Sequence, residues 1–235
     1  MGNLSIVLCT YNEVNNLEAT LDALILYLEV KEIIIVDDNS TDGTIDILEK
    51  YNHPKVKFRI RKNIRGFASA FIDGVKLCKG DYILRFDVDM FKSINTFMKV
   101  FKEIKDEDDC IIFSRYIENS SDQRSKYRRI PSLLINKICR ILLYSHIKDY
   151  TSCIVIFKRN ILSNVFPKNT YYANFIIDFI FELINKGFFI REVPFIQDRF
   201  TELNSKSAPD VFKFLLNGLF YFFSILRCFL KKFKK

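Results

Sequence analysis

The most informative stretch of the sequence is Asp81-Tyr-Ile-Leu-Arg-Phe-Asp87-Val-Asp89-Met90. A short apolar run follows the turn signal at Gly80 and ends on two carboxylates one residue apart, which predicts a buried strand with acid groups at its tip. In open α/β sheets, ligands bind in the crevice beyond the carboxyl ends of the strands. We therefore expect Asp87 and Asp89 to face a site, where hard oxygen ligands suit Mg²⁺ or Mn²⁺. The alternative is that both are solvated loop residues after a strand.

Three strand and helix pairs precede this stretch. Apolar runs occur at 4–9, 31–36 and 56–60, and helical spacing follows at 16–28, from 45 onward, and at 67–78. This alternation with short connections predicts a right-handed, mostly parallel α/β sheet that helices cover on both faces. Neither Gly-x-Gly-x-x-Gly after the first strand nor Gly-x-x-x-x-Gly-Lys-Ser/Thr is present. A hydride-transfer enzyme and a P-loop NTPase are therefore disfavoured.

The second half of the chain is less regular. Its predicted helices are 94–104, 133–147 and 175–185, and its predicted strands are 110–113, 154–157 and 188–193. The helix at 133–147 reads as amphipathic, with Lys137 and Arg140 on its wet side. Residues 117–127 are polar and predict a loop.

Composition limits the partners and the compartment. The 235 residues are 49% apolar and carry 36 Lys and Arg against 28 Asp and Glu, a net charge of +8. This balance favours an anionic partner: nucleic acid, a phosphate-bearing substrate or an acidic membrane surface. Six cysteines lie singly without a Cys-x-x-Cys pair, which predicts reduced thiols and a cytosolic setting. The first residues already read as a strand, so we expect no cleaved signal peptide.

The chain divides into a large domain at 1–210 and an apolar, basic tail at 211–235. The charge-free stretch 214–226 holds 13 residues, fewer than the ~20 that a spanning helix needs. We expect a helix that lies in the membrane interface, with the lysines at 231–235 at the lipid headgroups. The alternative is a terminal helix that packs on the domain's own core.

Residues 4–210 hold an ordered set of motifs: Cys-Thr-Tyr-Asn-Glu (9–13), Val-Asp-Asp-Asn-Ser-Thr-Asp-Gly-Thr (36–44), Gly-Phe-Ala-Ser-Ala (66–70), Gly-Asp-Tyr-Ile-Leu (80–84), Asp-Val-Asp (87–89), Ser-Arg-Tyr (114–116), Arg-Glu-Val-Pro-Phe (191–195) and Asp-Arg…Ser-Lys (198–206). This set resembles the GT-A glycosyltransferases of the family-two type, and the polyprenol (dolichol) phosphate mannose synthases in particular. The order of the set is far more specific than any one motif.

The resemblance implies a role for each donor-side motif. A nucleotide base and ribose would be surrounded by Cys9, Tyr11, Glu13, Val36 and Asp38. Asp87 and Val88 would lie along ribose and diphosphate, and Asp89 would hold, with Asp87, a divalent metal that bridges the diphosphate. Such a metal acts as a Lewis acid on the leaving nucleoside diphosphate. One in-line displacement would invert the anomeric carbon.

The resemblance also implies cationic residues for the acceptor. Arg115, Arg128 (or its neighbour Arg129), Arg199 and Lys206 match positions that hold donor and acceptor phosphates in the synthases. A phosphate monoester, with a second pKa of about 6, is already an anion at neutral pH, so it needs cations more than a general base. A hydroxyl acceptor would need a base, and the candidates are Asp149, Asp178 and Glu182.

The sequence departs from the synthases at several motif positions. Met90-Phe91-Lys92-Ser93-Ile94 replaces Leu-Gln/Ser-His-Pro-Pro, and Phe91 cannot ligate a metal as Gln can. Cys9 replaces a proline, and the spacing from Arg199 to Lys206 is one residue longer.

We therefore expect an inverting glycosyltransferase, peripheral on the cytoplasmic membrane face, that moves a hexose, mannose or glucose, from a GDP- or UDP-sugar to polyprenyl phosphate. A membrane partner subunit or a second copy of the chain could use the same tail. A transferase acting on a hydroxyl of a polysaccharide or lipid-linked oligosaccharide is the alternative. A nucleic-acid-binding α/β module is the alternative of another class, and the acidic loops at the expected site disfavour it because they would repel a phosphate backbone.

Overall fold

The computed structural model describes residues 2–165, 174–199 and 211–233, with side chains in the last range from 218 onward. The chain forms two compact units. Unit 1 comprises Met1–Cys110 and Ile154–Asn164, and unit 2 comprises Ile111–Cys153 and Val165–Lys235. The boundary predicted at residue 210 lies outside the described residues.

Unit 1 alternates strand and helix along the sequence, as the apolar runs predict. Its strands are β1 (Leu4–Thr10), β2 (Val30–Asp37), β3 (Val56–Ile60), β4 (Tyr82–Arg85) and β7 (Val155–Lys158), and its helices are α1 (Leu17–Ile25), α2 (Thr44–Lys50), α3 (Phe67–Leu77) and α4 (Ile94–Lys102). A tight helical turn, Val88–Ser93, follows β4, and a second one, Arg159–Ser163, follows β7.

The sheet of unit 1 runs in the order β3-β2-β1-β4-β7. The first four strands are parallel, and β7 is antiparallel to β4. Every residue of β1 and β2 is buried except Cys9 and Lys31. The expectation that helices bury both faces is wrong for β3, whose central residues Lys57, Phe58 and Arg59 are exposed at the sheet edge.

Helix α3 lies close to the sheet at Gly74. A Cβ atom added there would meet Cγ1 of Val7 at 2.5 Å and Cγ2 of Val36 at 3.3 Å. Only a residue without a side chain permits this approach. Gly74 therefore lets α3 lie directly against β1 and β2.

Unit 2 holds β5 (Cys110–Ser114, which begins on the last residue of unit 1), β6 (Ser121–Asp122), β8 (Ile190–Pro194) and β9 (Ile196–Gln197), with helices α5 (Lys126–Leu142), α6 (Phe175–Asn185) and α7 (Val211–Lys232). Strand β5 lies beside β8, and β6 pairs in parallel with β9. Helix α5 begins seven residues before the predicted start and continues through Pro131. This proline falls in the second turn, where it lacks the N–H of one i→i−4 hydrogen bond.

Helix α7 packs one side against α6, where Ser224, Ile225 and Cys228 are buried. Its other side exposes Leu219, Phe222, Phe223, Leu226 and Leu230. Across the three described ranges, the helices are too short or too polar to cross a membrane. All six cysteines fall in those ranges and are free thiols, as their spacing predicts.

Candidate active site

The loops after β1 and β4 meet at the point where the strand order of unit 1 reverses. Strand β2 pairs with one edge of β1, and β4 pairs with the other edge. The helices that follow such strands leave a crevice between the carboxyl ends, where α/β proteins bind ligands. The loop 11–13 and the residues 87–89 flank this crevice.

Hydrogen bonds to the loop after β2 hold the loop after β1. The backbone N–H groups of Asn12 and Glu13 donate to the hydroxyls of Ser40 and Thr44, both at 2.8 Å. The N–H of Thr41 donates in turn to Oδ1 of Asn12 at 2.8 Å. Asn12 has a φ of 57°, a left-handed conformation that asparagine tolerates better than most residues. The loop is therefore shaped before any ligand arrives.

Tyr11 and Glu13 project from this loop and are half-buried. The guanidinium of Arg65 lies 4.8 Å from the centre of the Tyr11 ring. Such an aromatic and cation pair can present a flat face to a nucleotide base or a sugar. Tyr11 and Arg65 thus form one pair at this loop, and the contact of Tyr11 with a nucleotide stays a prediction.

The two adjacent aspartates after β2 have different surroundings. Asp37 is fully buried and accepts hydrogen bonds from the Thr10 hydroxyl at 2.7 Å and from the backbone N–H of Ser40 at 2.8 Å. Asp38 accepts from Nε of Arg61 at 2.7 Å and from the N–H of Gly66 at 2.8 Å. Both carboxylates therefore shape the loops, and Asp38 is the acidic partner of an ion pair with Arg61.

Arg61 was not among the site residues predicted from the sequence. This arginine is buried, and its guanidinium also donates to Ser69 at 2.9 Å and to the carbonyl oxygen of Gly66 at 3.0 Å. The signal available in the sequence was an arginine directly after a short strand, β3. Its partner Asp38 lies 23 residues away in the sequence, so the pair becomes visible only in the fold.

Cys9 and Val36 face each other across β1 and β2. Val36 is fully buried, and its side chain contacts the position of Gly74. Burial raises the pKa of the Cys9 thiol to about 12, so this cysteine stays protonated at neutral pH. The Val36 side chain packs in the core, and its predicted place beside the nucleotide stays a prediction.

Asp87 is the more accessible carboxylate of the Asp-x-Asp pair, with 44% of its side chain exposed. It forms an ion pair with Arg85, which is itself buried and lies 4.2 Å above the ring of Phe67. The signal available in the sequence was an arginine inside a short apolar strand just before the aspartates, and it was not used in the prediction. Arg85 anchors the carboxylate at the floor of the crevice.

Asp89 differs from Asp87 because its Oδ1 is buried without a hydrogen-bond partner in the described part of the chain. Burial, together with the negative charges of Asp87 and Glu13, raises the pKa of Asp89 to about 7. The neighbouring Val88 is buried, and its carbonyl oxygen accepts a hydrogen bond from the Thr20 hydroxyl at 3.0 Å. The tight turn is thus fixed to α1, and it holds Asp89 in an unfavourable place for an isolated charge.

The donor set of this turn fits a divalent cation. Asp87 and Asp89 offer hard carboxylate oxygens, one of them without a partner, and such oxygens suit Mg²⁺ and Mn²⁺. Within the residues that the structure describes, no three acidic, histidine or cysteine side chains gather as a complete metal cage. A cation held by one or two carboxylates completes its coordination with substrate phosphates and water.

Arg115 in unit 2 occupies a buried polar network. Its Nε and Nη2 donate to the two carboxylate oxygens of Asp149, each at 2.8 Å, and Nη2 also donates to the Thr151 hydroxyl at 2.7 Å. Its Nη1 donates to Gln197 at 3.2 Å. Burial alone would raise the pKa of Asp149, but the charge and hydrogen bonds of Arg115 outweigh this effect and lower it. Because protein acceptors use these donors, the geometry favours a positioning role for Arg115.

The other predicted cations lie in three different settings. Arg128 is half-buried in the first turn of α5, and Arg199 is exposed after β9. Lys206 lies outside the described residues. Of the candidate bases, Asp149 pairs with Arg115, Asp178 with Arg227 and Glu182 with Lys231.

Comparison with protein families gives one match over most of the chain: residues 5–166 match the model described as "Glycosyl transferase family 2". A dolichol-phosphate mannosyltransferase of Pyrococcus furiosus is 30% identical over 169 residues, which are 69% of this chain and 48% of that protein. A chondroitin synthase of Escherichia coli is 42% identical over 85 residues, 35% of this chain and 12% of that protein. A cholesterol galactosyltransferase of Borreliella burgdorferi is 34% identical over 89 residues, 37% of this chain and 25% of that protein. The chain thus spans less than half the length of each of these relatives.

Solved structures of similar fold include a glucosyl-3-phosphoglycerate synthase from Mycobacterium tuberculosis in complex with Mn²⁺, UDP-glucose and phosphoglyceric acid. It superposes with a TM-score of 0.74 at 14% identity, over 97% of this chain and 80% of that one. The unliganded synthase superposes with a TM-score of 0.71 at 15% identity, over the same shares. At these identities the likeness shows the fold, and it confirms the predicted GT-A-type α/β architecture with a mostly parallel sheet.

Proposed function

Because the chain belongs to glycosyltransferase family 2, we propose that it transfers a hexose, mannose or glucose, from a nucleoside diphosphate sugar to polyprenyl phosphate. The reaction inverts the anomeric carbon and takes place at the cytoplasmic membrane face. Family membership favours a transferase over the nucleic-acid-binding module that the charge of +8 also suggested. The dolichol-phosphate mannosyltransferase that aligns with 69% of the chain supports the lipid-phosphate acceptor.

One observation carries the donor half of this proposal: the buried, unpartnered Oδ1 of Asp89 at the switch point of the sheet. A folded protein rarely retains a buried polar atom without a partner unless a ligand supplies one. The half-exposed Asp87 beside it offers a second oxygen. A divalent cation with the diphosphate of a nucleotide sugar would satisfy both carboxylates.

The chain's own residues would position the donor. The loop 11–13, which the Ser40 and Thr44 hydroxyls hold, would border the nucleoside, and Tyr11 with Arg65 would cover its base. Asp87 and Asp89 would hold Mg²⁺ or Mn²⁺, which neutralises the charge that develops on the leaving diphosphate. The similar structure in complex with Mn²⁺ and UDP-glucose supports this choice of cofactor and donor class.

The surroundings of the candidate bases favour a phosphate acceptor over a hydroxyl. Asp149, Asp178 and Glu182 each pair with a cation, so their carboxylate oxygens already have partners within the protein. An ionised phosphate needs no base, and Arg128, Arg199 and Lys206 would supply cations for it. We assign Arg115 to positioning Asp149 and the loop that follows. The chondroitin synthase and the cholesterol galactosyltransferase keep the hydroxyl acceptor as the second candidate.

The surface of α7 supports a peripheral position on the membrane. A groove of about 440 Å³ runs along this helix and is lined by Phe223, Leu226, Arg227, Leu230 and Lys231. Apolar side chains beside lysines and arginines suit the boundary between acyl chains and headgroups. A membrane subunit or a second copy of the chain would be further occupants of this surface.

A transfer assay with a matched control tests the proposal. Labelled GDP-mannose, UDP-glucose and UDP-N-acetylglucosamine are offered with polyprenyl phosphate and Mg²⁺ or Mn²⁺, to the wild type, Asp89→Ala and Asp81→Ala. Asp81 is an exposed carboxylate at the opposite end of the same strand. We expect labelled lipid from one donor with the wild type and with Asp81→Ala, and none with Asp89→Ala.

Other outcomes are equally informative. Donor hydrolysis or tight donor binding without a lipid product would favour a hydroxyl acceptor in place of polyprenyl phosphate. Full activity of Asp89→Ala would remove the role given to its carboxylate, and the absence of binding by every donor would contradict the catalytic function itself.

A further inference from the structure

Helix α5 of unit 2 presents an apolar face to the outside. Ile130, Leu134 and Ile141 have exposed fractions of 58%, 57% and 70%. Their spacing of four and seven residues places them on one side of the helix. Tyr127 and Leu133 flank them and are exposed as well. The prediction that Lys137 and Arg140 lie on the solvent side is confirmed, but large apolar side chains share that side with them.

The inner face of the same helix is polar. Ser132, Asn136 and Cys139 are its buried residues. Oδ1 of Asn136 accepts a hydrogen bond from the N–H of Tyr150 at 2.6 Å, and its Nδ2 donates to the Thr151 hydroxyl at 2.9 Å. The hydroxyls of Ser132 and Thr151 are also hydrogen-bonded at 2.8 Å. These bonds join α5 to the network around Arg115 and Asp149.

This arrangement is the reverse of an ordinary surface helix, which turns its apolar stripe inward and its polar face to water. Rotating α5 to bury Leu134 and Ile141 would break the bonds of Asn136 and leave buried polar groups without partners. The inner hydrogen bonds therefore fix the outward direction of the apolar face. A second apolar medium must cover that face for the arrangement to be favourable.

The charges of the region identify that medium. The sequence of α5, KYRRIPSLLINKICRIL, holds five lysines and arginines and no acidic residue. The neighbouring α7, VFKFLLNGLFYFFSILRCFLKK, holds four and no acidic residue. The two helices are in contact, and Nζ of Lys232 in α7 donates to the carbonyl oxygen of Leu142 in α5 at 3.4 Å.

We propose that α5 is a second membrane-binding element, which lies in the interface of an anionic bilayer with Ile130, Leu134 and Ile141 among the acyl chains. A basic, apolar helix without acidic residues matches such an interface. A second copy of the chain fits less well, because a two-fold interface would place two cationic faces against each other. The inference concerns binding alone and is independent of the proposed donor and acceptor.

The absence of tryptophan from the 235 residues allows a direct test with this whole chain. Leu134→Trp and Leu28→Trp each introduce one fluorophore at an exposed leucine, the first on α5 and the second in unit 1, where Leu28 is 93% exposed. We expect vesicles of 70% phosphatidylcholine and 30% phosphatidylglycerol to shift the emission of Leu134→Trp to shorter wavelength. The emission of Leu28→Trp should stay unchanged.

A binding measurement completes the test. The double variant Leu134→Glu/Ile141→Glu should sediment with the same vesicles about tenfold less than the wild type or less still, whereas Leu28→Glu should sediment as the wild type does. Circular dichroism checks that both variants are folded, and a fold loss in the double variant leaves the tryptophan test decisive. Bound protein without an emission shift at Leu134→Trp would overturn the proposal. A concentration-dependent shift without vesicles would overturn it in favour of self-association.

Discussion

Two aspartates with buried carboxylate oxygens, the half-buried Asp89 in unit 1 and the fully buried Asp149 in unit 2, have opposite surroundings. The Asp149 carboxylate accepts hydrogen bonds from Nε and Nη2 of Arg115 and from the backbone N–H groups of Arg115 and Thr151. Asp89 retains a buried oxygen without a partner. The pKa of Asp149 is lowered and that of Asp89 is raised to about 7. Sequence reasoning assigned both Asp89 and Arg115, the partner of Asp149, to the chemistry.

The difference separates architecture from ligand binding. A buried ion pair whose polar atoms are all hydrogen-bonded favours one arrangement of the chain. Removing one member of the pair leaves the other as a buried charge without a partner. A buried charge with an unused oxygen reduces stability until a ligand arrives. We therefore expect substitution of Asp149 to affect folding first, and substitution of Asp89 to affect activity first.

The largest expected effect is that of Asp149→Ala. The variant leaves the guanidinium of Arg115, 6% exposed, without its ion pair, which should reduce the free energy of unfolding by about 3–5 kcal/mol. Urea unfolding followed by circular dichroism measures this loss. The double variant Arg115→Met/Asp149→Leu is the control and should recover a good part of the loss. A loss below ~1 kcal/mol would show that the network contributes little to the fold.

Asp89→Asn should give the second effect, in activity instead of stability. Sugar transfer should fall by about two to three orders of magnitude, which corresponds to ~2.7–4 kcal/mol of transition-state stabilisation. The free energy of unfolding at pH 8 should stay equal or rise, because the amide removes a charge that burial disfavours. The measurements are initial rates with Mn²⁺ and urea unfolding of the same samples. A marked loss of stability would place Asp89 with Asp149 and end the contrast.

Asp122 provides a third test, because it is a paired carboxylate of unit 2. Burial alone would raise its pKa, but Arg124, at 2.7 Å, outweighs burial and holds the pKa at about 2. Since an unfolded aspartate titrates near ~3.9, the pair stabilises the fold above pH ~4, and this contribution is lost as pH falls toward 2. Asp122→Asn should be about 2 kcal/mol less stable than the wild type at pH 6, with the difference closing at low pH. A constant difference in urea unfolding across this range would contradict the assignment.

The smallest expected change in stability is that of an exposed ion pair. Lys231 and Glu182 form an ion pair between α7 and α6, with side chains 50% and 32% exposed. Solvent screens such a pair, so Lys231→Gln should change the free energy of unfolding by less than about 0.5 kcal/mol. Thermal unfolding in low and high salt measures the change. A loss comparable to that of Asp149→Ala would mean that exposure does not distinguish the two pairs.

The strands and helices of unit 1 could be predicted from local patterns. Continuous apolar runs such as those of β1 and β2 leave few alternatives to buried strands, and the carboxylates after β4 follow from position alone. The direction of β7 could not be predicted, because a short apolar run reads the same in a parallel and an antiparallel strand. The bounds of β3 were correct, but its edge position depends on partners elsewhere in the chain.

The candidate site could be predicted in outline but not in its internal pairs. The members of each pair are far apart in the sequence: 23 residues separate Asp38 from Arg61, and 34 separate Arg115 from Asp149. The local sequence therefore does not show that these residues form ion pairs with each other. The helix predicted at 133–147 was expected to turn Lys137 and Arg140 to solvent, but no local pattern shows that Ser132 and Asn136 form its buried face. Their acceptors and donors at 150–151 exist only once the chain has folded.

The antiparallel strand β7 also has a consequence for the order in which the protein is made. Unit 1 is discontinuous, since Ile154–Asn164 joins it only after Ile111–Cys153 has been added to unit 2. During synthesis on the ribosome, β4 therefore emerges with β1 on one side and an open hydrogen-bonding edge on the other. An open edge is a template for aggregation, and nascent chains advance at about 5–20 residues per second. The 43 intervening residues thus leave β4 without its second partner for a few seconds at least, and a chain that terminates in this interval would keep the edge open permanently.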